Sequence, residues 1–98
     1  MKVTFLKAAE AELDDAFEYY ESVQAGLGLR FLTEVEFSMA RIIRFPFSYE
    51  EIGKYSRRCL VQKFPYGIIY QYLEDKKEIL IVAVSHLHRI PDYWSIRE

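Results

Sequence analysis

The most constraining feature of this chain is a nearly continuous apolar segment, ILIVAVSH, at residues 79–86. A strand of this composition is typical of the centre of a sheet, where at least one face is buried. The charged segment EDKKE precedes it at residues 74–78, and the apolar segment GIIYQYL lies before that at residues 67–73. Two strands joined by so short a turn pair antiparallel. The sequence therefore predicts a β-hairpin whose second strand is central.

The first half of the chain has helical periodicity instead. Residues 8–24 place apolar side chains three and four positions apart, with acids between them. Residues 32–44 keep the same period until Pro46, which ends a helix. The glycines of AGLG, residues 25–28, separate the two segments, so we expect an antiparallel helical hairpin.

Together these patterns predict an α+β fold with the element order β-α-α-β-β-β. KVTFL at residues 2–6 supplies a short first strand, and RRCLVQKF at residues 57–64 supplies the strand before the hairpin. One helical hairpin then covers one face of a mostly antiparallel sheet, and the other face is less covered. The predicted core consists of Leu13, Phe17, Leu32, Val35, Met39, Ile42, Leu60, Val82 and Val84.

Composition excludes several classes of protein. The chain is long enough for one domain, residues 1–98, and its hydrophobic content of 51% suffices for a core without a metal or a disulfide. The single cysteine, Cys59, excludes an internal disulfide and a cysteine-based zinc cluster, and we expect it to be inert core. A lone cysteine also fits a reducing cytoplasm. We expect no cofactor and no metal. We also expect no membrane span, because no apolar run approaches ~18 residues.

Charge is distributed unevenly along the chain. Residues 1–51 hold five Lys and Arg against ten Asp and Glu, whereas residues 52–98 hold eight against five. Six acids and no base lie between Lys7 and Arg30. A field of one sign repels ligands of the same sign, so the first helix is a poor surface for nucleic acid and the second half is the better candidate. The simpler explanation is that these acids form a solvated helix face.

Three motifs follow one another in the second half of the chain. They are Phe64-Pro65-Tyr66 before a strand that contains Tyr70, the apolar strand ending at His86, and Arg89-x-Pro91-x-Tyr93-Trp94 near the C-terminus. In this order the motifs resemble the RelE/ParE superfamily, the toxins of bacterial type II toxin–antitoxin modules, often called plasmid stabilisation proteins. The first half fits as well, so the resemblance covers essentially the whole chain. It implies a small α+β fold, an antitoxin partner and growth inhibition when the antitoxin is lost.

The resemblance leaves three functions open. The ParE branch is taken to poison DNA gyrase, the RelE branch cleaves messenger RNA on the ribosome, and a degenerate member would only bind its antitoxin. RelE-type ribonucleases are strongly basic, because phosphate contacts dominate binding to ribosomal RNA, whereas this chain has a net charge of −2. They also carry Lys or Arg where this chain has Phe64-Pro65. Both differences favour the ParE-like branch, or a branch whose target is not assigned, over the ribonucleases.

A metal-independent ribonuclease centre would have to come from the polar residues that follow the last strand. Cleavage at a 2′-hydroxyl needs a base, a cation that stabilises the phosphorane and an acid. His86 or His88 would be the proton shuttle, since an unperturbed histidine titrates near neutral pH. Arg89 would clamp the phosphate, and Tyr93 would assist.

The same residues also have structural explanations. A histidine at a strand end, such as His86, commonly bonds to backbone. Tyr93 and Trp94 carry large rings that would anchor the tail on the sheet. Arg89 would then form a structural ion pair with Asp92 or with an acid of a helix.

A binding protein would use a wider set of side chains. The candidate antitoxin- or target-binding residues are Arg57, Arg58, Lys63, Arg89, Tyr93 and Trp94. Arg57 and Arg58 alternate across the sheet, so only one of them can point into a given site.

Overall fold

The computed structural model describes the whole chain, Met1–Glu98, and has the predicted α+β architecture. Its elements are β1 (Lys2–Phe5), α1 (Lys7–Val23), α2 (Leu27–Arg44), β2 (Glu50–Ile52), β3 (Ser56–Leu60), β4 (Tyr66–Leu73), β5 (Glu78–His86) and a C-terminal 3₁₀ helix (Tyr93–Arg97). The predicted order is confirmed with two additions. The loop after α2 contains the short strand β2, and the tail contains the 3₁₀ helix.

The helical hairpin forms because glycine permits both a tight connection and a close approach. Gly26, between the helices, has a φ of 86°, in the left-handed region. A Cβ at Gly28 would lie 2.8 Å from the carbonyl oxygen of Phe17, so a larger residue would push the helices apart. The Gly28 N–H, free in the first turn of α2, donates to the Glu21 carboxylate at 2.9 Å. The predicted hairpin is confirmed.

The five strands form one sheet in the order β1-β5-β4-β3-β2. β1 pairs parallel with the first half of β5, and every other pair is antiparallel. The interior strands are β5, β4 and β3, and of these β4 and β5 have the most apolar sequences. α1 packs on β5 and α2 contacts β3. The helical hairpin thus covers one face of a mostly antiparallel sheet, as predicted.

A β-bulge interrupts β5 at Val82. Tyr70 pairs with Ile81 and the preceding Ile69 pairs with Ala83, which leaves Val82 as an extra residue on β5. The extra residue shifts the alternation of faces. Ile81 belongs to the core under the helices, whereas Val82 and Ala83 both pack on the opposite side of the sheet.

The main core lies between the helical hairpin and the sheet. Val35, Ile42 and Val84 are buried in it as predicted, and Cys59 is buried there as well. Four predicted core residues are only half-buried: Leu13, Phe17, Leu32 and Met39. The prediction for Leu60 is wrong, because its side chain is 52% exposed. Neighbouring residues of a strand point to opposite faces, and in β3 it is Cys59 that faces the core.

The face of the sheet opposite the helices is covered in part by the C-terminal tail. Trp94, in the 3₁₀ helix, is only 2% exposed and packs with Ile69, Val82 and Ala83. Its ring lies against Gly53, where a Cβ would approach a ring carbon to 2.8 Å. This burial agrees with the predicted role of Trp94 as an anchor of the tail.

Candidate functional site

The most densely bonded polar group of the molecule is the carboxylate of Glu12, on the face of α1 towards β5. Its Oε1 accepts hydrogen bonds from the backbone N–H of Val84 at 3.0 Å and from Arg97 at 2.9 Å. Its Oε2 accepts from the Tyr93 hydroxyl at 2.6 Å, from Arg89 at 3.0 Å and from Arg97 again at 3.2 Å. One carboxylate therefore joins α1, β5, the loop after β5 and the 3₁₀ helix. We call these five residues the Glu12 cluster.

The Glu12 cluster lies where the edge of β5 has no neighbouring strand. β1 pairs with β5 only as far as Ile81, so the edge beyond it would present unpaired backbone groups. Arg97 donates to the carbonyl oxygen of the bulged Val82 at 3.0 Å, and Glu12 accepts from the N–H of Val84. Side chains thus form hydrogen bonds with backbone groups of β5 that β1 leaves unpaired.

The hydrogen bonds of the Glu12 cluster shift the pKa values of two of its members, Arg97 and Tyr93. The hydrogen bond to Glu12 raises the pKa of Arg97, against the opposing effect of burial. Burial raises the pKa of Tyr93, and the hydrogen bond to Glu12 raises it further. The Arg89 guanidinium also stacks over the Tyr93 ring, 3.6 Å from its centroid. Of the two ion pairs predicted for Arg89, the structure contains the one with a helix acid.

The two histidines lie next to each other at the end of β5. His86 is half-buried, and its ring packs edge-on against Tyr66 with 5.0 Å between centroids. The backbone N–H of His88 donates to Nδ1 of His86 at 3.0 Å, and the two rings are 5.3 Å apart. This is the backbone bond predicted for a histidine at a strand end. Because Nδ1 accepts, a neutral His86 carries its proton on Nε2.

A cavity of about 160 Å³ beside the histidines has an acidic lining. It is bounded by Glu12, Asp15, Ala16, Tyr66, Val84, His86 and Arg89. Glu12 and Asp15 place carboxylates where an RNA phosphate would have to enter, and the one guanidinium present is already paired with Glu12. Of the predicted ribonuclease residues, His86 and Arg89 line this cavity, in surroundings that disfavour a polyanion.

The three remaining basic candidates lie apart from one another. Arg57 donates to the carbonyl oxygens of Phe47 and Tyr49 and to Glu51, and so ties the loop after α2 to β3. Arg58 points to the other face of the sheet, as the alternation predicted, and pairs with Glu50 at 2.7 Å.

Lys63 is not on a strand at all. β3 ends at Leu60 rather than at the predicted residue 64, and Lys63 lies in the following turn with a φ of 70°. Its ammonium group is 3.4 Å from Glu34 of α2.

The tail has a second polar attachment that sequence reasoning missed. The Glu98 side chain accepts hydrogen bonds from the N–H groups of Lys54 and Tyr55 at 3.2 and 2.9 Å, and from the hydroxyl of Ser56. Lys54 and Tyr55 belong to the turn between β2 and β3, and Ser56 is the first residue of β3. Together with Trp94, Glu98 carries the tail across the sheet to the strand at the opposite edge.

Comparison with known proteins shows the family. Residues 3–91 match the family described as "ParE toxin of type II toxin-antitoxin system, parDE". The chain belongs to the ParE toxin family. The fold is similar to that of a solved structure, "Chromosomal ParDE TA system from P. aeruginosa", with a TM-score of 0.69 and 14% sequence identity. That similarity covers 90% of this chain and 97% of the other. No curated protein matches the sequence.

Membership of the ParE toxin family agrees with the resemblance found in the sequence. The fold similarity agrees with the predicted α+β fold. The matched residues contain β2 to β5, all of β1 except Lys2, both histidines and Arg89, and they end before the 3₁₀ helix. No three His, Cys, Asp or Glu side chains are grouped so that they could hold a metal ion. Neither helix is long and apolar enough to cross a membrane.

Glu12, Arg97 and Glu98 supply polar contacts of the tail, and sequence reasoning did not single them out. Glu12 was one of six acids of the first helix, and its partners lie more than seventy positions further along the chain. The only available signal was that Glu12 belongs to the same helix as Ala9, Leu13 and Ala16, which face the sheet.

Proposed function

We propose that this chain is the growth-inhibiting toxin of a type II toxin–antitoxin pair. It acts in the cytoplasm on a protein target, of which DNA gyrase is the candidate, and a cognate antitoxin neutralises it. The observation that carries the proposal is the family match over residues 3–91. The net charge of −2 supports a protein target, because a ribosome-directed nuclease must bind a dense array of phosphates.

The Glu12 cluster also supports binding rather than RNA cleavage. A phosphate clamp needs an arginine whose donors are free to meet the phosphorane. Arg89 and the Tyr93 hydroxyl both bond to the Glu12 carboxylate, so an RNA phosphate would have to displace an anion that α1 holds in place. These side chains serve to fix the tail on the domain.

The second candidate function is a metal-independent endoribonuclease that acts on messenger RNA at the ribosome. The contact between His86 and His88 favours it, because two neighbouring imidazoles could act as base and acid. In this function the shuttle is His86 or His88, and Arg89 leaves Glu12 for the phosphate when substrate binds.

The antitoxin is expected to be largely disordered alone and to fold when it binds. Its docking segment covers the sheet face that the helical hairpin leaves open, as a strand or a helix. Of the two arginines predicted to contact it, Arg58 points to this face, whereas the loop after α2 occupies the donors of Arg57.

The test is induced expression in cells with and without the antitoxin gene that adjoins the gene for this chain. Messenger RNA half-life and plasmid supercoiling are measured in the same cultures. A gyrase poison leaves messenger RNA intact and yields relaxed or linear plasmid. The His86→Gln, His88→Gln double variant then stays toxic, and Lys76→Gln, in the exposed turn between β4 and β5, serves as the matched control.

The opposite outcomes are equally specific. Rapid cleavage of messenger RNA that falls about 10²–10⁴-fold in the histidine double variant, with its fold intact, would establish the nuclease instead. Growth that is normal without the antitoxin, combined with tight antitoxin binding, would establish an inactive antitoxin-binding module.

A further inference from the structure

The outer face of the helical hairpin carries an open apolar groove. The groove has a volume of about 400 Å³ and lies between α1, α2 and the end of β1. All but one of its lining residues are apolar, among them Leu13, Leu32, Met39 and Ile43. Phe37, on the solvent side of α2, is 54% exposed. Exposed apolar surface that is contiguous in this way commonly marks a protein-binding site.

A row of acids borders the groove on the side of α1. Glu10, Asp14 and Glu18 are four positions apart, so they lie along one line of the helix, and all three are exposed. Leu13, which lines the groove, is three positions after Glu10 and places the row at the groove's edge. None of the three acids has an ion-pair partner within the chain. Like charges at this spacing repel one another, so cations from another molecule would stabilise the row.

A row of bases borders the groove on the side of α2. Arg30, Phe37 and Arg44 are seven positions apart, which is about two turns of helix, and both arginines are exposed. Neither arginine has an ion-pair partner within the chain. Ala40, which lines the groove, lies between Phe37 and Arg44 at helical spacing and joins this row to the groove. Arginine and phenylalanine are both enriched at protein interfaces.

The two rows make the face complementary to itself. The helices are antiparallel, and the Gly28 N–H donates to Glu21, so Glu18 and Arg30 lie at about the same height on opposite sides of the groove. A two-fold axis parallel to the helices keeps the height and exchanges the sides. Such an axis brings Glu18 of one copy to Arg30 of the other, and it does so twice in each dimer.

We propose that this face of the helical hairpin binds a second copy of the chain and forms a two-fold symmetric dimer. Glu18 of each copy pairs with Arg30 of the other, and Phe37 of each copy packs into the groove of the other. A second copy fits better than an unrelated protein, because the acidic row and the basic row are both present on this one face. The inference goes beyond the proposed function and is independent of it. The antitoxin is proposed to dock on the opposite face of the sheet, so both partners can be bound together.

The experiment is a charge exchange, read out by sedimentation of the purified full chain across micromolar concentrations. Glu18→Arg and Arg30→Glu each place like charges at both contacts of the dimer and should weaken self-association at least about tenfold. The double variant Glu18→Arg, Arg30→Glu restores opposite charges and should dimerise again. Glu74→Arg makes the same reversal in the exposed turn between β4 and β5. It is the matched control and should dimerise as the wild type does.

Phe37→Ala tests the apolar part of the same interface. The ring is half-exposed in the single chain, so its removal should weaken the dimer without changing the thermal unfolding of the monomer. A wild-type chain that stays monomeric at every concentration would overturn the proposal. A charge-exchanged double variant that dimerises no better than either single variant would also overturn it. If the wild type is monomeric and Phe37→Ala weakens antitoxin binding, the groove belongs to the antitoxin and the dimer is wrong.

Discussion

The two faces of the sheet are stabilised in different ways. Under the helical hairpin, burial is shared among many apolar side chains from both helices and four strands. On the opposite face the buried cluster has only four residues, of which Trp94 is the one from the tail, and two carboxylates, Glu12 and Glu98, hold the tail at either side. The difference implies that a single substitution weakens the packing under the helices only in part. On the opposite face a single substitution can detach the tail altogether.

The largest effect is expected from Phe31→Ala in the main core. Phe31 is fully buried, and its ring contacts those of Tyr20, Phe64 and Tyr66 at centroid distances of 5.1 to 5.3 Å. Removing it should lower the free energy of unfolding by about 4 kcal/mol. Denaturant titration followed by circular dichroism measures this loss. A loss below about 1 kcal/mol would show that the helical face is not the dominant source of stability.

Trp94→Ala should come next, with a loss of roughly 3 kcal/mol. The matched control is Ile96→Ala, since Ile96 belongs to the same 3₁₀ helix but is 91% exposed, and it should unfold at the wild-type temperature. If Trp94→Ala also unfolds at the wild-type temperature, the tail is not a structural clamp. The tryptophan would then be free to serve in binding.

Glu12→Gln sharpens the comparison between the two faces, because it removes one charge and leaves the shape of the side chain almost unchanged. The side chains of Glu12 and Arg97 are only 12% and 18% exposed, so loss of the anion leaves a partly buried guanidinium short of a partner. We expect a loss of about 2 kcal/mol and faster hydrogen exchange at the Val84 amide. Glu10→Gln, an exposed change on the same helix, is the control. If both variants are equally stable, the Glu12 cluster has no structural role.

The smallest effect concerns the pH dependence contributed by Glu98. Burial alone would raise its pKa, but hydrogen bonds from the hydroxyl of Ser56 and the N–H groups of Tyr55 and Lys54 outweigh burial and lower the pKa below the ordinary 4.5. A carboxyl group whose pKa is lowered by folding stabilises the fold at pH values above its unfolded-state pKa. This stabilisation is lost as the pH falls through the folded-state pKa. Acidification below about pH 5 should therefore cost the wild type more stability than Glu98→Gln. Parallel pH profiles of the two proteins would contradict this.

Periodicity predicted the helical face well, because its signal is local and repeated. Val35 and Ile42 follow a helical spacing that any window of the sequence reveals. The strand at residues 79–86 gave no such guidance. Its continuous apolar run does not show which side chains face the helices, and the bulge at Val82 reverses the alternation halfway along.

The tail shows the opposite limit of sequence reasoning. Its composition indicated an anchor at Trp94 and an ion pair for Arg89, and both are present. The acceptors could not be predicted, because Glu12 and the turn after β2 are brought to the tail only by the complete fold. The prediction that Leu60 is buried was wrong for a related reason, since an apolar side chain on a strand does not reveal which face the helices will cover.

The burial of Trp94 against Gly53 has a practical consequence for spectroscopy. Trp94 is the only tryptophan of the chain, so its fluorescence, excited at wavelengths that tyrosine does not absorb, reports on a single position. A red shift of the emission would signal that the ring has left its position against Gly53. This signal needs no attached label. It would distinguish partners that displace the tail from partners that bind elsewhere.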